Sequence, residues 1–210
     1  MFDLGEIRQA LESGNAQAVR TLTEAALGQG TSAETVLNEA LIAAMSRVGE
    51  KFKRNEVYVP EVLVAARAMY AGLDILRPIL AETGTKAVGK LVIGTVRGDL
   101  HDIGKNLVRM MFEGAGFQVV DLGIDVSEDK FIDAVRTERP DFLGMSALLT
   151  TTMPAMKTTI EALENAGLRD KVKVIVGGAP VTQHFADAIG ADGYAPDASC
   201  AVDLAKELID

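Results

Sequence analysis

The sequence predicts two domains of different class, a bundle of four helices followed by an α/β domain on a five-stranded parallel sheet. Two observations indicate this division. Residues 1–82 repeat apolar side chains only at helical spacing, whereas strand and helix patterns alternate five times from Lys90 onward. A third observation is size, because 210 residues with 48% hydrophobic content can fill two cores. We place the helical domain at residues 1–85 and the α/β domain at residues 90–210.

The helical half divides into four predicted helices, each with a start signal. Residues 4–11 carry leucine and isoleucine at helical spacing, and Asn15 can cap a second helix. A third helix starts near Ser32, and Pro60 suits the first turn of a fourth. Pro78 would kink or shorten the end of that helix. Its inward face is predicted to hold Leu63, Ala66, Tyr70, Leu73 and Leu76.

The segment 82–89 is short, polar and glycine-bearing, and we interpret it as the linker. The strands that follow are predicted at residues 91–96, 118–122, 142–146, 173–176 and 193–194. The helices are predicted at residues 105–115, 128–138, 154–166, 183–189 and 198–209, with Ser127 as an N-cap. Five β-α units give a doubly wound sheet, for which we expect the flavodoxin-like (Rossmann-type) strand order.

Charge and cysteine content limit the partners and the compartment. The formal net charge is −9 at pH 7, so we expect neither a nucleic acid nor an anionic membrane as a partner. The single cysteine cannot form an intrachain disulfide and suits a reducing compartment. No basic stretch precedes an apolar block at the N-terminus, and no segment is apolar enough to span a bilayer. We therefore expect a cytoplasmic protein with no membrane contact.

One histidine lies on the loop after the first predicted strand. His101 stands between Asp99 and Asp102, and ligands of open α/β sheets bind at the carboxyl ends of strands. A carboxylate that bonds one ring nitrogen of a histidine leaves the other nitrogen available to a metal. Taken alone, the loop is equally compatible with an imidazole that merely bonds one of the two aspartates.

Two more loops are expected at the same edge of the sheet. Ser146, Leu148 and residues 150–152 follow the third strand, and Gly177 and Gly178 follow the fourth. Paired glycines allow a flat or bulky group to approach the backbone closely. The hydroxyl groups could bond a ligand or the carboxylate of the first loop.

Two phosphate-based interpretations of these loops are weak. A Walker loop ends in Lys followed by Ser or Thr, but Lys105 is followed by Asn106. A phospho-receiver domain would carry an aspartate at the end of the third strand, where Ser146 stands.

Three ordered motifs carry a resemblance to a known family: Asp99-x-His101-x-x-Gly104, Ser146-x-Leu148 and Gly177-Gly178. They resemble the cobalamin-binding signature shared by cobalamin-dependent methionine synthase and the corrinoid proteins of three-component methyltransferase systems. Residues 49–52, 58–63 and 65–69 resemble the helical cap of that family. The resemblance therefore covers nearly the whole chain.

The resemblance implies a cobalamin cofactor, a corrinoid whose cobalt takes His101 as its lower ligand in place of the cofactor's own base. It implies that Asp99 bonds the other ring nitrogen and that Thr152 ends this relay. Phe52 and Val59 match the cap positions over the upper, methyl-bearing face. The other implied cofactor contacts are Asp102, Ile103, Gly104, Gly123, Ser146, Leu148, Thr150, Gly177, Gly178 and Tyr194.

The resemblance also implies a methyl carrier that is not itself catalytic. A substrate:corrinoid methyltransferase would load the methyl group, and a methylcorrinoid:tetrahydrofolate or coenzyme M methyltransferase would remove it. A reductive activase would restore the reduced cobalt. The donor stays open among methanol, a methylamine, a quaternary amine and an aryl methyl ether, because the partner sets it. The alternatives are a cobalamin-binding sensor or regulatory protein and, disfavoured by the cap, the small subunit of a mutase.

Overall fold

The computed structural model describes residues 2–83 and 86–209, apart from the side chains of Ala81 and Thr83. Gly84 and Thr85 of the predicted linker lie outside these ranges. The contacts divide the chain into two compact units. The helical unit comprises Met1–Val88 and Glu113–Gly116, and the α/β unit comprises Gly89–Phe112 and Phe117–Asp210.

The helical unit contains the four predicted helices. The first two are α1 (Leu4–Glu12) and α2 (Ala16–Gly28). The third is a continuous run of α3 (Ala33–Thr35), a π-helical segment (Val36–Ile42) and α4 (Ala43–Lys53). The fourth is α5 (Val59–Thr83). Asn15 caps α2 by accepting the N–H of Ala18 at 3.0 Å, and Ser32 caps α3 by accepting the N–H of Thr35 at 3.0 Å. These two start signals are confirmed, because each capping side chain accepts a hydrogen bond from a main-chain N–H that has no partner within the first turn.

Three features of the helical unit differ from the prediction. The π-helical segment interrupts the third helix, and apolar spacing gave no sign of it. Pro78 lies inside α5, which continues to Thr83, so of the two predicted effects, a kink or a shortened end, the shortened end is wrong. Leu63 is 39% exposed, and its neighbour Val62 is the buried residue of that turn. The core of the unit includes Ile7, Leu11, Val19, Val36, Leu41, Met45, Met69 and Leu76.

The α/β unit has the predicted architecture. Its strands are β1 (Lys90–Thr95), β2 (Gln118–Asp121), β3 (Phe142–Ser146), β4 (Lys173–Gly177) and β5 (Gly193–Tyr194). All neighbours pair in parallel in the order β2-β1-β3-β4-β5, which confirms the flavodoxin-like order. Its helices are α6 (Ile103–Gly114), α7 (Glu128–Glu138), α8 (Pro154–Asn165), α9 (Gln183–Ile189) and α10 (Ala198–Ile209), with a 3₁₀ turn at Arg169–Lys171.

The central strands are apolar and buried, as expected when both faces of a parallel sheet are covered. Their register brings Thr95, Ser146 and Gly177 side by side at the carboxyl edge. The loops after β1, β3 and β4 therefore begin at the same level. Within the described ranges, no helix has the length and apolar content needed to cross a membrane.

Candidate functional site

The loop after β1 is built around a buried carboxylate. Asp99 has no exposed surface, and its oxygens accept hydrogen bonds from the loop that follows β3. The hydroxyl of Thr152 and the N–H of Leu148 each donate to Oδ2 at 2.7 Å, and the N–H of Leu149 donates at 3.3 Å. Oδ1 accepts the N–H of His101 at 3.1 Å and lies 2.7 Å from its ring Nδ1.

These donors keep Asp99 ionised. Burial raises the pKa of the carboxyl, but hydrogen bonds from Thr152, Leu148 and His101 outweigh burial and hold the pKa well below its usual range. An ionised carboxylate only accepts hydrogen bonds, so Nδ1 of His101 carries the proton in this contact. In the neutral imidazole, which is the form that binds a metal, this contact places the lone pair on Nε2.

His101 presents that nitrogen outward. Its side chain is 50% exposed, and Nε2 has no hydrogen-bond partner within residues 2–83 and 86–209. No three His, Cys, Asp or Glu side chains of the described residues come together as a metal site. A single neutral imidazole suits a metal whose other ligands come from its own macrocycle.

Gly177 and Gly178, at the end of β4, form the next part of this edge. A Cβ on Gly178 would lie 1.8 Å from the main-chain oxygen of Ala147, and its φ of +133° also favours glycine. A Cβ on Gly177 would lie 3.2 Å from the oxygen of Ala195. At Gly178 the chain thus passes closer to its neighbour than a larger residue allows, whereas at Gly177 a small shift of the neighbour would relieve the contact. A side chain at Gly178 would therefore clash with backbone, and the loop would have to move.

Apolar side chains are exposed in the loops of this edge and at the start of α6. They are Leu100, Ile103, Ile124, Leu148 and Leu149, each between 42% and 76% exposed. Exposed apolar groups beside one polar ligand fit a large, mostly apolar ring with a metal at its centre. The residues present therefore fit a corrin.

The remaining predicted site residues of the α/β unit have varied surroundings. Asp102 bonds the Nδ2 of Asn106 at 3.0 Å, and its carbonyl accepts the N–H of Asn106 at 2.8 Å. It therefore precedes α6 rather than contacting the imidazole. Gly104 lies in the first turn, because α6 begins at Ile103, two residues before the predicted start. Thr150 is exposed and Ser146 is half-buried.

Gly123 and Tyr194 complete that set. Gly123 has a φ of +88° and donates its N–H to Asp121 at 2.9 Å. Tyr194 is half-buried on β5, where it pairs with Val176. A cavity of about 610 Å³ lies at the opposite edge, where β3 and β4 begin, and no predicted site residue lines it.

The two predicted cap residues belong to the helical unit. Phe52 is half-buried in the last turn of α4, and Val59 is half-buried as the first residue of α5. Residues 54–58 connect α4 to α5.

The sequence analysis missed the buried ion pair between Lys105 of α6 and Asp121 at the end of β2. Lys105 is 2% exposed, and its Nζ contacts the two oxygens of Asp121 at 2.8 and 2.6 Å and the Oδ1 of Asn106 at 2.8 Å. Burial raises the pKa of Asp121, but bonds from Lys105 and Gly123 and the charges of Lys105 and Arg109 outweigh it and lower the pKa. Lys105 lies three residues before Val108 and seven before Phe112, and therefore on the apolar face of α6. A cation on that face was the signal from which the sequence could have predicted a buried ion pair.

Comparison with known proteins agrees with this geometry. A family model described as a B12 binding domain matches residues 89–203, and a second model with that description matches residues 4–77. A dimethylamine corrinoid protein of Methanosarcina barkeri is 45% identical over 208 residues, which cover 98% of this chain and 97% of that protein.

Solved structures show the same relationship. A cobalamin-binding protein from Desulfitobacterium hafniense superposes with a TM-score of 0.82 at 32% identity, with 100% of both chains covered. A chain of the methanol:cobalamin methyltransferase complex from Methanosarcina barkeri gives a TM-score of 0.84 at 31% identity, covering 97% of this chain and 76% of that one.

Fold, site and comparisons define a two-part B12-binding protein. The chain belongs to the corrinoid proteins of methyltransferase systems, and its cofactor is a corrinoid, cobalamin. The family, fold class and cofactor predicted from the sequence are thereby confirmed. The roles of individual residues stay predictions.

Proposed function

We propose that this chain is the methyl-carrying subunit of a methyltransferase system, with cobalamin held base-off through Nε2 of His101. The observation that carries the proposal is the buried Asp99 carboxylate, which fixes the imidazole and leaves Nε2 exposed. Bound cobalt supplies the chemistry, since it can accept a methyl group and give it up again. The chain supplies the ligand and its orientation.

Each part of the site has a distinct task in this proposal. Asp99 raises the basicity of the ring and holds its tautomer, and Thr152 in turn holds Asp99. Gly177 and Gly178, which carry no side chain, would line the path of the displaced nucleotide tail. Phe52 and Val59 would shield the methyl group from water and move aside for its transfer.

The partners follow from the carrier role. We expect a substrate:corrinoid methyltransferase to deliver the methyl group, and the relatives named dimethylamine corrinoid proteins favour a methylamine as donor. A methylcorrinoid:tetrahydrofolate or coenzyme M methyltransferase would remove it. A reductive activase would rescue oxidised cobalt, and all of these proteins would share the cytoplasm with the carrier.

Replacement of each histidine tests the ligand assignment. Anaerobically reconstituted protein is compared with His101→Ala and with His184→Ala, which removes the other histidine from an exposed position on α9. The parent and His184→Ala are expected to show nitrogen splitting in the electron paramagnetic resonance spectrum of Co(II). His101→Ala should bind cobalamin without that splitting. Identical spectra of the two variants would refute the assignment.

The carrier role is tested by transfer. The loaded protein is mixed with candidate methylamine methyltransferases and their donors, and methylation is followed in the visible spectrum. Methylation supports a carrier, whereas tight cobalamin binding without transfer to or from any such enzyme supports the sensor alternative.

The cap assignment needs its own measurement. Phe52→Ala should leave cobalamin bound but hasten the light-driven loss of the methyl group, because water and oxygen reach the upper face. Leu27→Ala, another half-buried apolar truncation in the helical unit, is the matched control. Equal rates in the two variants would make Phe52 an ordinary packing residue.

A further inference from the structure

Thr95 joins three segments at the carboxyl edge of the sheet. It is the last residue of β1, and its polar side chain is fully buried. Its hydroxyl donates to the main-chain carbonyl of His101 at 2.8 Å. Its N–H donates to the carbonyl of Gly123 at 3.0 Å, and its own carbonyl accepts the N–H of Val126 at 3.0 Å. In the strand register it lies beside Ser146.

The Thr95 hydroxyl completes the restraint of His101. Asp99 bonds both the ring Nδ1 and the main-chain N–H of His101, and Thr95 bonds its carbonyl. Only Nε2 lacks a partner among the described residues. A residue fixed at its N–H, its carbonyl and one ring nitrogen has little rotational freedom left, so the direction of Nε2 is set before any ligand arrives.

The sheet itself does not require this hydroxyl. A valine would suit a buried strand end at least as well by β propensity, and a buried hydroxyl is costly unless it is bonded. The bond to His101 belongs to no helix or strand ladder. Its direct consequence is to hold the main chain of the proposed cobalt ligand.

We propose that Thr95 is a positioning residue that pre-sets His101 for cobalt, acting on the main chain while Asp99 acts on the ring. The inference rests on the proposed ligation by His101. It predicts that loss of the hydroxyl shifts bound cofactor toward the form without a histidine ligand. The equilibrium should shift by about 3- to 10-fold, the range expected for one lost hydrogen bond.

The test compares three variants of the full chain. Thr95→Val removes the hydroxyl at nearly constant shape, and Thr95→Ser restores it. Thr159→Val is the matched control, because Thr159 is 1% exposed in the same unit and its hydroxyl also donates to a main-chain carbonyl, that of Ala155, at 2.7 Å. The Co(II) form of each reconstituted protein is measured for the share of molecules with nitrogen splitting.

Parent, Thr95→Ser and Thr159→Val are expected to show the same nitrogen-ligated share, with a clear fall only in Thr95→Val. An equal share in Thr95→Val and Thr159→Val would overturn the role of Thr95. Absence of nitrogen splitting in the parent would instead overturn the ligation by His101, so the two failures are distinguishable.

A second measurement uses the cofactor-free protein. The amide hydrogen of His101 should exchange faster in Thr95→Val, and in Thr95→Ala, than in Thr159→Val, because the carbonyl end of the residue is released. Unchanged exchange would contradict pre-setting. If both hydroxyl-free variants fail to fold while Thr95→Ser folds, the hydroxyl is a requirement of the fold and the positioning role is wrong.

Discussion

The two units differ in how many polar side chains they bury and in how those side chains are paired. Six of the seven buried polar or charged residues in the described chain lie in the α/β unit, and the side chains of five of them form hydrogen bonds: Thr95, Asp99, Lys105, Thr152 and Thr159. The seventh, Thr23 of α2, has a hydroxyl with no partner among the described residues. The other buried polar side-chain atom without a partner there is Nε of Arg109, a half-buried residue.

The difference reflects what each unit has to hold. The helical unit is stabilised by apolar packing of its helices, which tolerates one unpaired hydroxyl and an interior proline. The carboxyl edge of the sheet carries Asp99 and Lys105 inside the protein, and a buried charge is stable only when its bonds are complete. Substitutions at this edge should therefore cost more than substitutions of similar size in the helices.

The largest effect is expected at the tightest point of the edge. Gly178→Ala places a Cβ 1.8 Å from the oxygen of Ala147 in a backbone region that favours glycine, so the loop must move. We expect a loss of roughly 3 kcal/mol or more in the free energy of unfolding. Gly123→Ala meets no atom within 4 Å at a φ of +88° and should lose only about 1–2 kcal/mol.

Urea unfolding of the cofactor-free proteins compares the two glycine variants. Equal losses would show that backbone conformation alone, and not the approach of the β3 loop, makes glycine necessary at 178.

The next effect is the loss of the buried lysine. Lys105→Met leaves the Asp121 carboxylate with the N–H of Gly123 and, as its cation within the described residues, the more distant Arg109 at 3.4 Å, and should cost about 3 kcal/mol. Adding Asp121→Leu removes the unpaired charge and should restore part of the loss. The restoration is incomplete because the N–H of Gly123 loses its acceptor. A single variant within about 0.5 kcal/mol of the parent would mean that the pair does not stabilise this edge.

A smaller, pH-dependent effect belongs to the same pair. The pKa of Asp121 is lowered in the folded protein, so its contribution to stability is fully present above the ordinary value of about 4 and is lost as pH falls below it. The stability difference between parent and Asp121→Asn should therefore shrink on acidification. In the Lys105→Met background the difference should depend less on pH. An unchanged pH dependence there would assign the lowered pKa to the Gly123 N–H and Arg109.

The elements of the fold that were predicted correctly rest on short-range patterns. Apolar spacing, caps such as Asn15 and Ser127, and the glycines that follow strands all act within a few residues. The contact between Asp99 and His101 is of the same kind, since the two residues are only two positions apart. The strand order then brought Thr152 to Asp99, a contact over 53 positions that the shared edge of the loops had allowed and the family resemblance had specified.

What the sequence missed depends on contacts across the fold. Lys105 and Asp121 are 16 positions apart and meet only because β2 lies beside β1. The Thr95 bond links a strand end to a loop carbonyl, which leaves no trace in side-chain patterns. In the helical unit, Arg8 donates to the carbonyl of Glu39 at 2.9 Å within the π-helical segment, and such tertiary support cannot be read from apolar spacing.

The smallest predicted effect tests the other side of the comparison. Thr23→Val removes a fully buried hydroxyl that has no partner in the described residues and keeps the β-branched shape. Both residues have similar helix propensity, so the loss of an unpaired polar group should stabilise the protein by about 1 kcal/mol. Thr159→Val removes a bonded hydroxyl in α8 and should instead lower stability by up to about 1 kcal/mol.

Thermal unfolding of the two variants gives the sign of each change in stability directly. Opposite signs would uphold the contrast between the units, whereas destabilisation by Thr23→Val would show that its hydroxyl is bonded in solution and that the helical unit also completes its buried polar groups.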